Sequence, residues 1–118
     1  MNDNNGWIGV DLDGTLAHYT SWKEQGNNLG APIKPMVNRV RQWLAEGIDV
    51  RIFTARSGQD EMIQDWLLKA GLPRLRITNQ KDPAMMALWD DRCVQVGHNT
   101  GEPVSVVDIA NTWAPRQL

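Results

Sequence analysis

Two acidic side chains, Asp11 and Asp13, stand one residue apart where the apolar run Ile8-Gly9-Val10 gives way to Gly14. In a strand, residues i and i+2 point to the same side, so both carboxylates can converge on one cation at the strand's end, and Gly14 supplies a sharp exit. Burying two carboxylates together is costly without a counter-charge, which makes a hard divalent metal the natural partner. The same D-x-D-G spacing also opens calcium loops and ordinary turns. An EF-hand loop needs further oxygen ligands and a late Glu, and Thr15-Leu16-Ala17-His18-Tyr19 supplies no such series. A plain polar turn stays open on spacing alone.

Three more polar signals each follow a strand-like apolar run. Thr54 follows Val50-Arg51-Ile52-Phe53, Lys81 follows Leu75-Arg76-Ile77-Thr78, and Asp90-Asp91 follow Met86-Ala87-Leu88-Trp89. Transfer of a phosphoryl group to a carboxylate needs an unprotonated nucleophile held in line, with a hydroxyl donor and a fixed cation around the charge that spreads over the phosphoryl oxygens. The ordered series D-x-D-G-T-L, Thr, Lys, acidic pair resembles the haloacid dehalogenase superfamily of phosphohydrolases, from Val10 to Asp91.

That resemblance implies roles. Asp11 would be the nucleophile that forms an aspartyl-phosphate, and Asp13 the general acid for the leaving alkoxide and then the base for water. Thr54 would hydrogen-bond the phosphoryl group, and Lys81 would neutralise the phosphate and the nucleophile. The metal, Mg2+, would take the Asp11 carboxylate, the backbone carbonyl of Asp13 and an acid of the fourth motif. Asp90 is expected as the direct ligand, with Asp91 binding through water or holding one. Arg56 stands close enough in sequence to bind a substrate phosphate or sugar, or to be a surface residue at a helix edge. Arg92 can pair with Asp91, and His18 reads as polar surface.

Elements that could position these residues alternate along the chain. Strands are expected at 7–11, 48–54, 74–78 and about 87–90, with Cys93-Val94-Gln95-Val96 as a short fifth. Met36, Val37, Val40, Trp43 and Leu44 recur at helical spacing between Pro35 and Gly47, and Met62, Ile63, Trp66, Leu67 and Leu68 do so before Gly71. A short helix is expected at 82–86. The alternation predicts a three-layer, Rossmann-like α/β domain over 1–118, with a mainly parallel sheet, helices on both faces, and ligands beyond the carboxyl ends of the strands.

A composition of 42% hydrophobic and 22% charged residues argues against disorder, and a net charge of −2 provides no global field for nucleic acid. The single Cys93 excludes an internal disulfide and suits a reducing compartment. No targeting segment or membrane span is visible, so a cytoplasmic protein is expected.

Between Leu16 and Pro35 the chain offers only a loop rich in Gly and Asn, so a capless member of the family is expected, its site open or closed by homo-oligomerisation. Tyr19 and Trp22 in that loop either stack on a base or sugar or latch the loop to the body. Of the six tryptophans, Trp43 and Trp66 are expected in the core and Trp89 beneath the site. The segment Val104-Ser105-Val106-Val107-Asp108-Ile109 has strand or helix character and can cover a sheet edge.

The sequence therefore reads as a Mg2+-dependent phosphomonoester phosphatase. Similarity to the phosphatase part of polynucleotide kinase 3′-phosphatases suggests a nucleotide or polynucleotide end as substrate. A non-catalytic metal- or phosphate-binding module of the same fold, and a phosphotransferase, are the alternatives.

Overall fold

The computed structural model describes residues 6–104. Four strands, β1 (Trp7–Asp11), β2 (Asp49–Phe53), β3 (Arg76–Thr78) and β4 (Met85–Trp89), form one sheet in the order β3-β2-β1-β4. Every pairing is parallel. Between β1 and β2 lie the short α1 (Trp22–Gln25) and α2 (Lys34–Ala45), and α3 (Asp60–Lys69) joins β2 to β3. This is an α/β, Rossmann-like domain, and no inserted cap domain occurs among the described residues.

The apolar spacing of the two long helices decides which face of the sheet they cover. Met36, Val37 and Val40 of α2 and Ile63 and Leu67 of α3 share one buried cluster with Ile8 and Val10 of β1 and Val50 and Ile52 of β2. Ile8 is registered with Val50 and Val10 with Ile52, so these strand side chains occupy one face. Two successive right-handed crossovers running the same way along a sheet put both helices on that face. Pro35 in the first turn of α2 costs no hydrogen bond there. At the end of α3, Gly71 N–H donates to Leu68 and Leu72 N–H to Leu67, which folds Leu72 back into the core at 3% exposure.

The opposite face has no helix among the described residues. Trp7 lies there fully buried, with the Arg51 guanidinium 4.5 Å from its ring centre. Its indole N–H donates to Asp82 at 2.8 Å, the main reason that this carboxyl is held below its usual range. Asp82 belongs to the stretch 79–84, which carries the chain from β3 at one edge to β4 at the other.

The helix expected at 82–86 is therefore absent. Asp82 and Pro83 look like a helix start, but the Asp82 carboxylate caps Ala84 N–H instead and Ala84 C=O accepts from Trp7 N–H, opening the β1–β4 ladder. Met85–Trp89 pair with β1 as a strand, longer than the expected 87–90. Cys93–Val96 form no strand; the segment meets Pro103 and Val104 in a single antiparallel bridge at Val96 and one hydrogen bond to Gln95. Ser105–Ile109 and Trp113 lie outside the described residues. No helix among the described residues is long and apolar enough to cross a membrane.

Gln64 joins helix and sheet most tightly. Buried at 7% exposure on α3, its amide donates to Leu75 C=O at 2.6 Å and accepts from Leu75 N–H at 3.1 Å, just before β3. A Gln64→Leu substitution keeps the volume and strands both backbone groups. It should cost about 2 kcal/mol or more, since each buried unsatisfied group costs roughly 1–3 kcal/mol. Urea unfolding that matches the parent protein would contradict this role.

Candidate active site

β1 lies between β2 and β4, so the carboxyl ends of these strands bring Asp11, Thr54 and the Asp90-Asp91 pair to one place. A cleft of ≈ 530 Å³ opens there, lined by Asp11, Asp13, Thr54, Arg56 and Asp90, with the aromatic side chains of Tyr19, Trp22 and Phe53 around it.

Asp11, Asp90 and Asp91 form the charged centre. One carboxylate oxygen from each lies within 4.8 Å of the others, and all three residues are half-buried. The Asp11 carboxyl is pushed up to about 8, first by burial, then by the charge of Asp90 and by the hydrogen bond and charge of Asp91. Like charges so close disfavour ionisation unless a cation joins them. An all-oxygen donor set of this kind suits a hard divalent ion such as Mg2+.

Two neighbours hold this centre, Thr15, to which the sequence reading gave no role, and Gly14, which it read only as a sharp exit. The Thr15 hydroxyl reaches Asp91 Oδ1 at 3.2 Å and Asp11 Oδ2 at 3.4 Å, and accepts from Asp91 N–H at 3.1 Å. Thr15 thus ties the turn after β1 to the end of β4. Gly14 makes room for that tie: its φ is +90°, and an added Cβ would lie 2.5 Å from Asp91 Oδ2. Both residues stand inside the D-x-D-G-T-L run, so the signal was present, although their contact with Asp91 is a tertiary fact.

Asp13 is engaged elsewhere. Arg56 Nε donates to Asp13 Oδ2 at 2.7 Å and Nη2 to Oδ1 at 2.9 Å, a bidentate pair. Nη1 donates to Asn27 C=O at 2.6 Å and Gln59 Oε1 at 2.8 Å, and Nη2 to Asn28 C=O at 3.1 Å. These bonds occupy all five N–H donors of the guanidinium. Arg56 lines the cleft, yet its hydrogen bonds fasten Asp13 and the 27–28 loop instead of offering a hold for a substrate. Gln59 is a further member of this hub.

Thr54 is buried at 4% exposure, with its N–H on Thr78 C=O and its hydroxyl accepting from Arg56 N–H at 3.1 Å. Its hydroxyl proton remains directed by whatever enters the cleft. Lys81 is exposed in the 79–84 crossover and does not line the cleft. Its charge acts on the Cys93 thiol, which burial and then Asp90 push up and Lys81 draws down. Arg92 lines the cleft, and its N–H donates to Asp90 Oδ1 at 2.8 Å. His18 is exposed.

The aromatic residues differ from expectation in part. Trp22 is 64% exposed at the cleft rim, so it does not latch the loop onto the body. Trp66 Nε1 instead pins that loop by donating to Gly30 C=O at 2.8 Å. Trp89 packs on the helical face, edge to face with Trp43 at 5.1 Å, and is 38% exposed.

The raised Asp11 pKa gives a stability test. An unfolded Asp ionises near 3.8 and folded Asp11 only near 8, so between these values unfolding releases a proton and rising pH favours the unfolded chain. In metal-free buffer the melting temperature of Asp11→Asn should therefore gain on that of the parent from about pH 4 to about pH 8. Parallel profiles would show that Asp11 ionises normally.

No protein-family model and no curated protein matches the chain. A solved structure described as a conserved protein coded by a locus from Bacteroides thetaiotaomicron is similar in fold, with a TM-score of 0.59 and 22% identity over 77% of this chain and 79% of that one.

Proposed function

We propose that the protein is a Mg2+-dependent phosphomonoester phosphatase of the haloacid dehalogenase type. The observation that carries this reading is the meeting of Asp11, Asp90 and Asp91 within 4.8 Å, in a cleft that Asp13 and Thr54 also line. Asp11, Asp90 and Asp91 would hold the ion, which when bound supplies positive charge that keeps Asp11 ionised and offsets charge on the phosphoryl oxygens.

The chain's own residues would then act in two steps. An Asp11 carboxylate oxygen attacks phosphorus as the bond from phosphorus to the leaving oxygen breaks, and that oxygen takes a proton from Asp13. Asp13 next removes a proton from water, whose oxygen attacks the same phosphorus and displaces the Asp11 carboxylate, releasing inorganic phosphate. The Thr54 hydroxyl donates to a phosphoryl oxygen in both steps. Arg56 takes one lone pair on each Asp13 oxygen and leaves the second on each for the proton transfer. With Lys81 outside the cleft lining, the positive charge on the phosphoryl group falls to the metal and to Arg92, which borders the cleft.

The bidentate hold on Asp13 also favours a second reading, a metal-binding module without turnover. Phosphate release from p-nitrophenyl phosphate separates the two. The parent should turn over with Mg2+ and lose that turnover on chelation, and Asp11→Asn should lose at least about a thousandfold of kcat, as removal of a nucleophile does. Asp13→Asn should slow alkyl phosphates more than the activated aryl ester, because only the poor leaving group needs the proton. Undiminished turnover in Asp11→Asn would overturn the mechanism, and Mg2+ binding without turnover by the parent would favour the module.

A further inference from the structure

We infer that the cleft takes a phosphomonoester whose alcohol part is a neutral, planar aromatic group, such as a nucleoside, stacked against Trp22. The inference rests on the phosphatase reading only for the placement of the phosphate beside Asp11. A volume of ≈ 530 Å³ falls in the range of sites for whole small-molecule ligands, well beyond what a phosphate fills. The remaining space is bordered by Trp22, Tyr19 and Phe53.

Trp22 is 64% exposed, and its ring makes no hydrogen bond or ring contact to another described residue. Among the described residues no ring or hydrogen-bond partner engages this indole at the cleft mouth, which leaves its face open as a stacking platform requires. Its position is fixed. Ser21 caps α1 by accepting from Glu24 N–H at 3.2 Å, and Arg56 grips the carbonyls of Asn27 and Asn28 directly after that helix.

Charge decides the nature of the group. Asp11, Asp13 and Asp90 line the cleft with two cations, Arg56, whose five donors are occupied, and Arg92, which with the metal would serve the reacting phosphate, so a second phosphate or an acidic side chain would find no further cation among the lining residues. Polar edges of a base can instead use the Asn27 side-chain amide, whose N–H groups donate to no described residue, at the same rim. A free nucleotide therefore fits better than the phosphorylated end of a polynucleotide.

The test is binding of AMP, ribose 5-phosphate and adenosine 3′,5′-bisphosphate to the Asp11→Asn protein in Mg2+, which separates affinity from turnover. AMP should bind at least about fivefold more tightly than ribose 5-phosphate, the low end of what one stacked base contributes. Trp22→Leu should remove that advantage while leaving ribose 5-phosphate unchanged, and the bisphosphate should bind no better than AMP. Circular dichroism of Trp22→Leu checks the fold. Equal affinity for AMP and ribose 5-phosphate, an equal loss of both in Trp22→Leu, or preference for the bisphosphate would each overturn the inference. If the parent binds AMP in a Trp22-dependent way yet hydrolyses neither AMP nor p-nitrophenyl phosphate, the phosphatase reading fails and the stacking site stands.

Discussion

Mutual repulsion among Asp11, Asp90 and Asp91 is the constraint around which the rest of the domain is arranged. Left to themselves, three half-buried carboxylates within 4.8 Å would separate or take up protons, and Asp11 is pushed up to about 8 first by burial and then by Asp90 and Asp91. The backbone holds them together regardless. Asp11 is registered with Phe53 of β2, and Asp90 and Asp91 follow β4, whose Trp89 is registered with Val10 next to Asp11. Thr15 then locks the two strand ends to each other. Such strain is tolerable when a cation joins the group, and the stability of the surrounding sheet makes it possible.

Around this centre the two sides of the cleft are held differently. The side of the cleft next to α3 and β2 is built on Thr54, buried and hydrogen-bonded, while the loop from Tyr19 to Gly30 is held by a few polar ties. Arg56 is the main one, joining Asp13, Gln59 and the carbonyls of Asn27 and Asn28. Any event that loosens Asp13 from Arg56 therefore also acts on the loop that carries Trp22. The chemistry proposed at Asp13 and the recognition proposed at the rim share one guanidinium, so replacing Arg56 would disturb both.

Much of this was legible in the sequence because it is local. Strand ends are marked by apolar runs that stop at a polar residue, and helices by apolar spacing that stops at Gly47 and Gly71. Asp11, Thr54, Asp90 and Asp91 are strand-end residues, and their convergence follows once the strands are parallel neighbours. Lys81 and Arg56 were less legible. Lys81 also follows a strand, but it lies on the crossover from β3 to β4, whose path across the sheet linear order does not carry. Arg56 reads as a spare cation until its five acceptor atoms, on Asp13, Asn27, Asn28 and Gln59, are seen together. The helix expected at 82–86 failed because Asp82 and Pro83 are a local helix start, and pairing with β1 outweighs that preference.

The central claim is that the three carboxylates form a divalent cation site. Calorimetric titration of the metal-free protein with Mg2+ at pH 7, repeated in two buffers of different ionisation enthalpy, tests it most directly. One equivalent of Mg2+ should bind, with release of close to one proton because Asp11 is protonated beforehand, and both binding and release should be lost in Asp90→Asn. Failure to bind at millimolar Mg2+, or binding that is indifferent to Asp90→Asn, would contradict it.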